Sequence, residues 1–287
     1  MTAQTQPEVA ALLAPWPGPY GGLPPLAGVS PAAIEEAMRA SIDMKRAEVQ
    51  AIASRTAPPT FENTADSFRA QICAGLNAGL SGIGWWTTDI GGFYDGNGND
   101  PCFRELLVRW FQWAVFCPVT RLHGYRVNND VAQREVDPAK PYGEDQELDP
   151  NITGGDNEVW SWGEEVYDIL RHCLSTRERL RPYVMRLMAE FSVTGAPPLR
   201  PLFFDFPDEI AVWSVDDQHM FGPDLLVAPV LEFGARSRSV LLPSGSRWTD
   251  VWTGNSFEGG QRVEVGAPLE RMPVFARDEA SVLSLIE

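Results

Sequence analysis

The sequence predicts an α/β fold: a (β/α) barrel region followed by a small all-β sandwich, with a helical arm in front of both. Three observations predict it. Between residues 65 and 207, apolar helical patterns alternate with short buried strands, the order that builds mixed α/β layers. The stretch Gly82 to Phe93 reads as a strand that ends in Asp89 and a glycine turn, as strands do at the catalytic face of a (β/α) barrel. After Phe221 the helices give way to short strands separated by Gly, Ser and Pro turns.

Each element follows from local chemistry. Leu13 to Pro25 is rich in Pro and Gly and reads as extended. Ser30-Pro31 then starts a helix, Ser as cap and Pro at its first position, and the pattern Ile34, Ala37, Met38, Ile42 carries it to about Ser54. Ala57-Pro58-Pro59-Thr60 ends it. From Ala65 the texture changes: Phe68, Ile72, Leu76 and Leu80 share one side of a helix over Ser67 to Leu80. Asp95 to Pro101 reads as a plain turn, because no downstream Glu stands at the spacing a calcium loop needs. Phe103 to Phe116 is an apolar helix, and Pro118 to Gly124 a short strand or turn ending in His123. Tyr125 to Asn157 reads as a long polar surface loop. One long helix is expected from Glu158 to Thr194, and a buried strand over Pro201 to Pro207. Val240–Pro243, Trp248–Trp252, Arg262–Val265 and Pro273–Arg277 are candidate strands of the sandwich. These elements divide the chain into 1–64, 65–232 and 233–287.

Composition narrows the function. The net charge of −16 argues against nucleic acid or an anionic membrane as partner, since both need basic patches. Ten Trp fit bulky core filling better than carbohydrate stacking on composition alone. Cys73, Cys102, Cys117 and Cys173 form no Cys-x-x-Cys pair and no zinc spacing, so they read as reduced thiols, with no metal or cofactor. The N-terminus lacks a signal-peptide pattern and no apolar run is long enough to span a membrane, which points to a cytoplasmic protein. Around Asp89, the aromatics Trp85, Trp86 and Phe93 offer flat faces for a sugar ring beside a carboxylate that accepts from its hydroxyls. The competing reading is a core strand whose Asp caps the next turn; the residues alone leave both open.

Residues 66–280 resemble glycoside hydrolase family 31, the α-glucosidases and α-xylosidases. The resemblance rests on Ala74-Gly75-Leu76-Asn77-Ala78-Gly79-Leu80-Ser81-Gly82, Trp86-Thr87-Thr88-Asp89-Ile90-Gly91-Gly92-Phe93, Arg109-Trp110-Phe111-Gln112, Arg121-Leu122-His123-Gly124, Asp217-Gln218-His219-Met220-Phe221-Gly222 and Leu226-Val227-Ala228-Pro229-Val230. It implies a (β/α)₈ barrel followed by β domains, and retaining hydrolysis of terminal α-linked glucose or xylose without metal or cofactor. Asp89 and His123 match residues that hydrogen-bond the sugar being cleaved; Trp86 and Phe93 match the aromatic wall of its pocket. Arg121 is expected to anchor the loop. The chain also departs from the family. Such chemistry needs two carboxyl groups about 5–5.5 Å apart, yet nothing in residues 1–59 resembles the nucleophile strand, and Thr60 stands at the acid/base position. No catalytic residue is therefore assigned. Ala65 to Pro207 is shorter than the about 250 residues of a complete barrel and holds its last two or three βα units. Residues 1–64 resemble instead the N-terminus of the thimet oligopeptidase/peptidyl-dipeptidase zinc peptidases, through Pro15-Trp16, Leu23-Pro24-Pro25 and Ala57-Pro58-Pro59-Thr60-Phe61-Glu62-Asn63-Thr64. His123, His172 and His219 form no His-Glu-x-x-His, which argues against peptidase activity. The expectation is a family 31 glycosidase chain, inactive by itself; the alternative is a non-catalytic sugar-binding or misfolded fusion remnant.

Overall fold

The computed structural model describes residues 7–14, 29–41, 64–93, 96, 98, 100–124, 126, 155–278 and 280–286. The Pro/Gly segment over Leu13 to Pro25, the helix beyond residue 41, Thr60, Glu62 and the Tyr125–Asn157 loop lie largely or wholly outside them, as do Asp95, Asn97 and Asn99 of the turn over Asp95 to Pro101. Two compact units divide between Thr60 and Phe61.

The first unit holds α1 (Pro7–Leu13) and a helix α2 over residues 31–41. Ser30 caps α2 by accepting from the Ala33 N–H at 3.2 Å, and its own N–H and hydroxyl both reach Glu8. Val9, Ala33 and Ala37 form the small core of this arm.

In the second unit, α3 (Ala65–Leu80) is capped by Thr64, whose hydroxyl accepts from the Ser67 N–H. Gly75 and Gly79 give it a flat face. A Cβ on Gly79 would stand 2.6 Å from the Leu199 carbonyl oxygen, and one on Gly75 would stand 2.6 Å from the Trp86 indole nitrogen. Residues 83–89 follow as an extended segment, then α4 (Pro101–Ala114), then a second extended segment to Gly124. The Val119 N–H donates to the Trp86 carbonyl at 3.1 Å and joins the two segments. Asp100 caps α4 and Pro101 opens it, a pairing suited to a helix start.

The single helix expected over Glu158 to Thr194 is two: α5 (Glu164–Arg179) and α6 (Arg181–Thr194). Pro182 sits in the first turn of α6, where its missing N–H costs nothing; deeper in one continuous helix it would remove a bond. The strand expected over Pro201 to Pro207 is also corrected. Only β1 (Leu199–Pro201) is strand, and α7 (Leu202–Asp205) takes the rest as a single helical turn.

Seven further strands follow: β2 (His219–Phe221), β3 (Leu225–Val227), β4 (Ser237–Leu242), β5 (Arg247–Asp250), β6 (Ser256–Glu258), β7 (Gln261–Gly266) and β8 (Val274–Arg277), then α8 (Leu283–Ile286). They form a six-stranded sheet in the order β1-β2-β3-β8-β5-β6 and a β4–β7 ribbon. The boundary read at residue 232/233 therefore falls inside one sheet, because β3 pairs antiparallel with β8. Alternate residues of this sheet feed two cores. Phe221, Leu225, Val227, Val274 and Ala276 join the helices' core, whereas Met220, Leu226 and Phe275 join that of the ribbon. The sheet is thus covered on both faces.

Arg109 ties the helices to the β part. Buried on α4, it donates to the carbonyls of Ala235, Ala267, Pro268 and Arg271, while Gln112 donates to Leu269 at 2.7 Å. Burial pushes the Arg109 guanidinium down to about 10. The Arg109–Gln112 motif is thereby a structural clamp.

Candidate functional site

The two extended segments carry the candidate side chains. In 83–89, successive side chains point to opposite faces. Gly84 packs on Phe191, Trp86 on Gly75, and Thr88 accepts from the Trp110 indole at 2.8 Å; Ile90 is fully buried. That face belongs to the helix layer. The other face bears Ile83, Trp85, Thr87 and Asp89, with Trp85 69% exposed. The second segment is positioned from below by Arg177, which donates to the carbonyls of Val115, Cys117 and Pro118. Thr120 donates to the Ala114 carbonyl at 2.7 Å. Burial raises the Cys117 thiol well above its ordinary range, which makes it an inert core group.

At the ends of these segments Asp89 and Arg121 form an ion pair. The Gly92 N–H returns to the Asp89 carbonyl at 2.9 Å and closes a turn in which Gly91 and Gly92 have φ of 80° and 83°, values that glycine adopts without strain. The turn delivers Phe93, whose ring lies 5.6 Å from that of His123. Asp89, Arg121, Phe93 and His123 thus stand together: a carboxylate, a cation, an aromatic face and an imidazole, all at least partly open to solvent. Such a group has the chemistry to hold a polyhydroxylated ring, through charged and neutral hydrogen bonds plus one apolar contact. Trp86, expected in the pocket wall, is not among them. Extended-chain alternation turns it into the helix layer, where its indole N–H is buried without a hydrogen-bond partner among the described residues. Trp85 takes the side of the segment that Asp89 shares.

Two other aromatics divide similarly. Trp162 is buried edge-on to Phe103 at 5.6 Å, whereas Trp160 is exposed. Arg126 escaped notice in the sequence. Its guanidinium is fully buried and donates to the carbonyls of Ile90 at 2.7 Å and Gly92 at 2.8 Å, and to the Asn157 side chain at 2.9 Å. The one signal for it was an Arg two residues beyond a Gly at a segment end. Among the described residues no His, Cys, Asp and Glu cluster could hold a metal ion, and no helix is long and apolar enough to cross a membrane.

Comparisons with known proteins match two regions of the chain. Residues 60–142 match the glycosyl hydrolases family 31 TIM-barrel domain, and residues 195–282 match the family 31 C-terminal domain. The chain thus carries glycosyl hydrolase family 31 domains, homologous to α-xylosidases and α-glucosidases. An α-xylosidase of Saccharolobus solfataricus is 36% identical over 220 residues, which cover 77% of this chain and 26% of that enzyme. Alpha-glucosidase 2 of Bacillus thermoamyloliquefaciens is 31% identical over 72% of this chain and 22% of its own length. Among solved structures, a family 31 α-xylosidase from a soil metagenome, complexed with xylose, is 54% identical with a TM-score of 0.69, over 79% of this chain and 32% of that one. The chain therefore spans about a fifth to a third of the length of these relatives.

Proposed function

We propose that this chain supplies the sugar-recognition side of a family 31 glycosidase site, acting on terminal α-linked xylose or glucose. The observation that carries the reading is the grouping of Asp89, Arg121, Phe93 and His123 at the ends of two adjacent barrel segments. Asp89 accepts from sugar hydroxyls, with Arg121 fixing its carboxylate. His123 hydrogen-bonds a neighbouring hydroxyl, and Phe93 covers one ring face; Trp85 adds a second apolar surface in place of Trp86. The xylose-bound relative supports a saccharide ligand. Retaining hydrolysis needs two carboxyl groups about 5–5.5 Å apart, and we assign neither to this chain, in which Thr60 stands at the acid/base position. Incubation with aryl α-xyloside and aryl α-glucoside tests this: no release above a buffer blank is expected, and turnover by the purified chain would overturn the assignment of no catalytic residue.

The origin of residues 1–64 belongs to the same proposal. We infer that they derive from a thimet oligopeptidase-like sequence joined to the glycosidase region. The division into units at Thr60/Phe61 and the start of the family match at residue 60 fall close to the boundary read after residue 64 and support a junction near it. Zinc with a short peptide should yield no cleavage.

A further inference from the structure

We infer that Arg126 is the positioning residue of the candidate site, a latch that fixes the turn after Asp89 against the backbone at Gly124, next to His123. The guanidinium fork closes the Asp89 side by donating to the Ile90 and Gly92 carbonyls. On the His123 side it lies directly over Gly124, where a Cβ would stand 2.8 Å from the guanidinium carbon. Its third arm binds Asn157, and its own carbonyl accepts from the Gly155 N–H at 3.1 Å, so the returning chain is held too. Below, the cation rests over the Phe103 ring at 5.4 Å. A planar, rigid fork satisfies two carbonyls and a side-chain amide at once; a lysine ammonium has no such geometry. The latch acts through the backbone it grips. It sets the distance between Asp89 and His123 by holding the backbone immediately after each. Its purpose rests on the sugar reading above, but its geometry does not.

The test compares Arg126→Lys with Arg109→Lys. Both arginines are buried and grip carbonyls, yet Arg109 does so at the β part, away from the site. Imidazole NMR signals are recorded for each, with His123 assigned by its loss in His123→Gln. The expected result is that Arg126→Lys moves the His123 signal, through altered stacking on Phe93, while Arg109→Lys lowers the melting temperature and leaves that signal in place. An unmoved His123 signal in Arg126→Lys, or an equal movement in both variants, would overturn the inference. Should Arg126→Lys not fold, Asn157→Ala removes one acceptor of the latch at a partly open position and must move the same signal, or the inference fails. A second arm measures xylose affinity: Arg126→Lys is expected to bind about tenfold more weakly, the cost of roughly one hydrogen bond. The spectroscopic arm needs no sugar. Absence of xylose binding by the unaltered chain would therefore count against the proposed function and not against the latch.

Discussion

Acidification should loosen this protein through His219. That imidazole is fully buried in β2; its Nε2 accepts from the Trp113 indole at 3.0 Å and its Nδ1 faces the Met220 carbonyl at 3.2 Å. The Nε2 lone pair is thus committed, and a second proton has no place without breaking the Trp113 bond. Burial pushes its pKa down from 6.5 to about 4. A depressed value in the folded state means that the unfolded chain takes up the proton first. Stability is complete above about pH 6.5, falls as the pH drops toward about 4, and levels off below it; the difference is worth about 3 kcal/mol. Carboxylates protonate in the same range, so a single curve does not isolate the effect. Urea unfolding followed by Trp fluorescence should therefore be run on the natural chain and on His219→Gln, which accepts from Trp113 but does not titrate. The acid-induced loss should be smaller in the variant by about 3 kcal/mol. Equal losses, or a folded-state His219 that titrates at its ordinary value, would refute the argument.

Other outcomes follow from the packing. Trp86→Ala should cost about 2–4 kcal/mol in urea melts, because it opens the α3 interface, whereas Trp85→Ala should cost less than about 0.5 kcal/mol at an exposed position. Reversed costs would show that the alternation is misassigned. Gly79→Ala should destabilise by about 1–3 kcal/mol through overpacking against the Leu199 carbonyl, read as a lower thermal midpoint. Arg109→Met should cost about 3 kcal/mol or more by stripping donors from four carbonyls in 235–271, read as a fall in the urea midpoint.

The α/β class, the helices around Phe68 and Trp110 and most later strands were legible because their apolar spacing is local. The break at Leu180 was not: Leu170, Leu180 and Leu187 continue one apolar stripe, and only Pro182 marks the stop. Nor was the sheet order, since the pairing of Leu226 with Phe275 reaches across β4 to β7. Of the candidate residues, Asp89, Phe93 and His123 were picked out from motif and turn chemistry, and the structure groups them with Arg121. Trp86 packs on the helix layer, away from that group, because motif membership does not say which face a side chain takes; counting from Asp89 in steps of two reaches Trp85 instead. Arg126 was hidden because its partners are backbone carbonyls, which leave no trace in side-chain pattern.

The central claim is that Asp89 and His123 form one sugar-binding group, and an NMR titration with xylose tests it most directly. The natural chain should show saturable shifts at the His123 imidazole and the Trp85 indole, and Asp89→Ala should abolish them without lowering the melting temperature appreciably. No saturable shift in the natural chain, or undiminished binding in Asp89→Ala, would contradict the account.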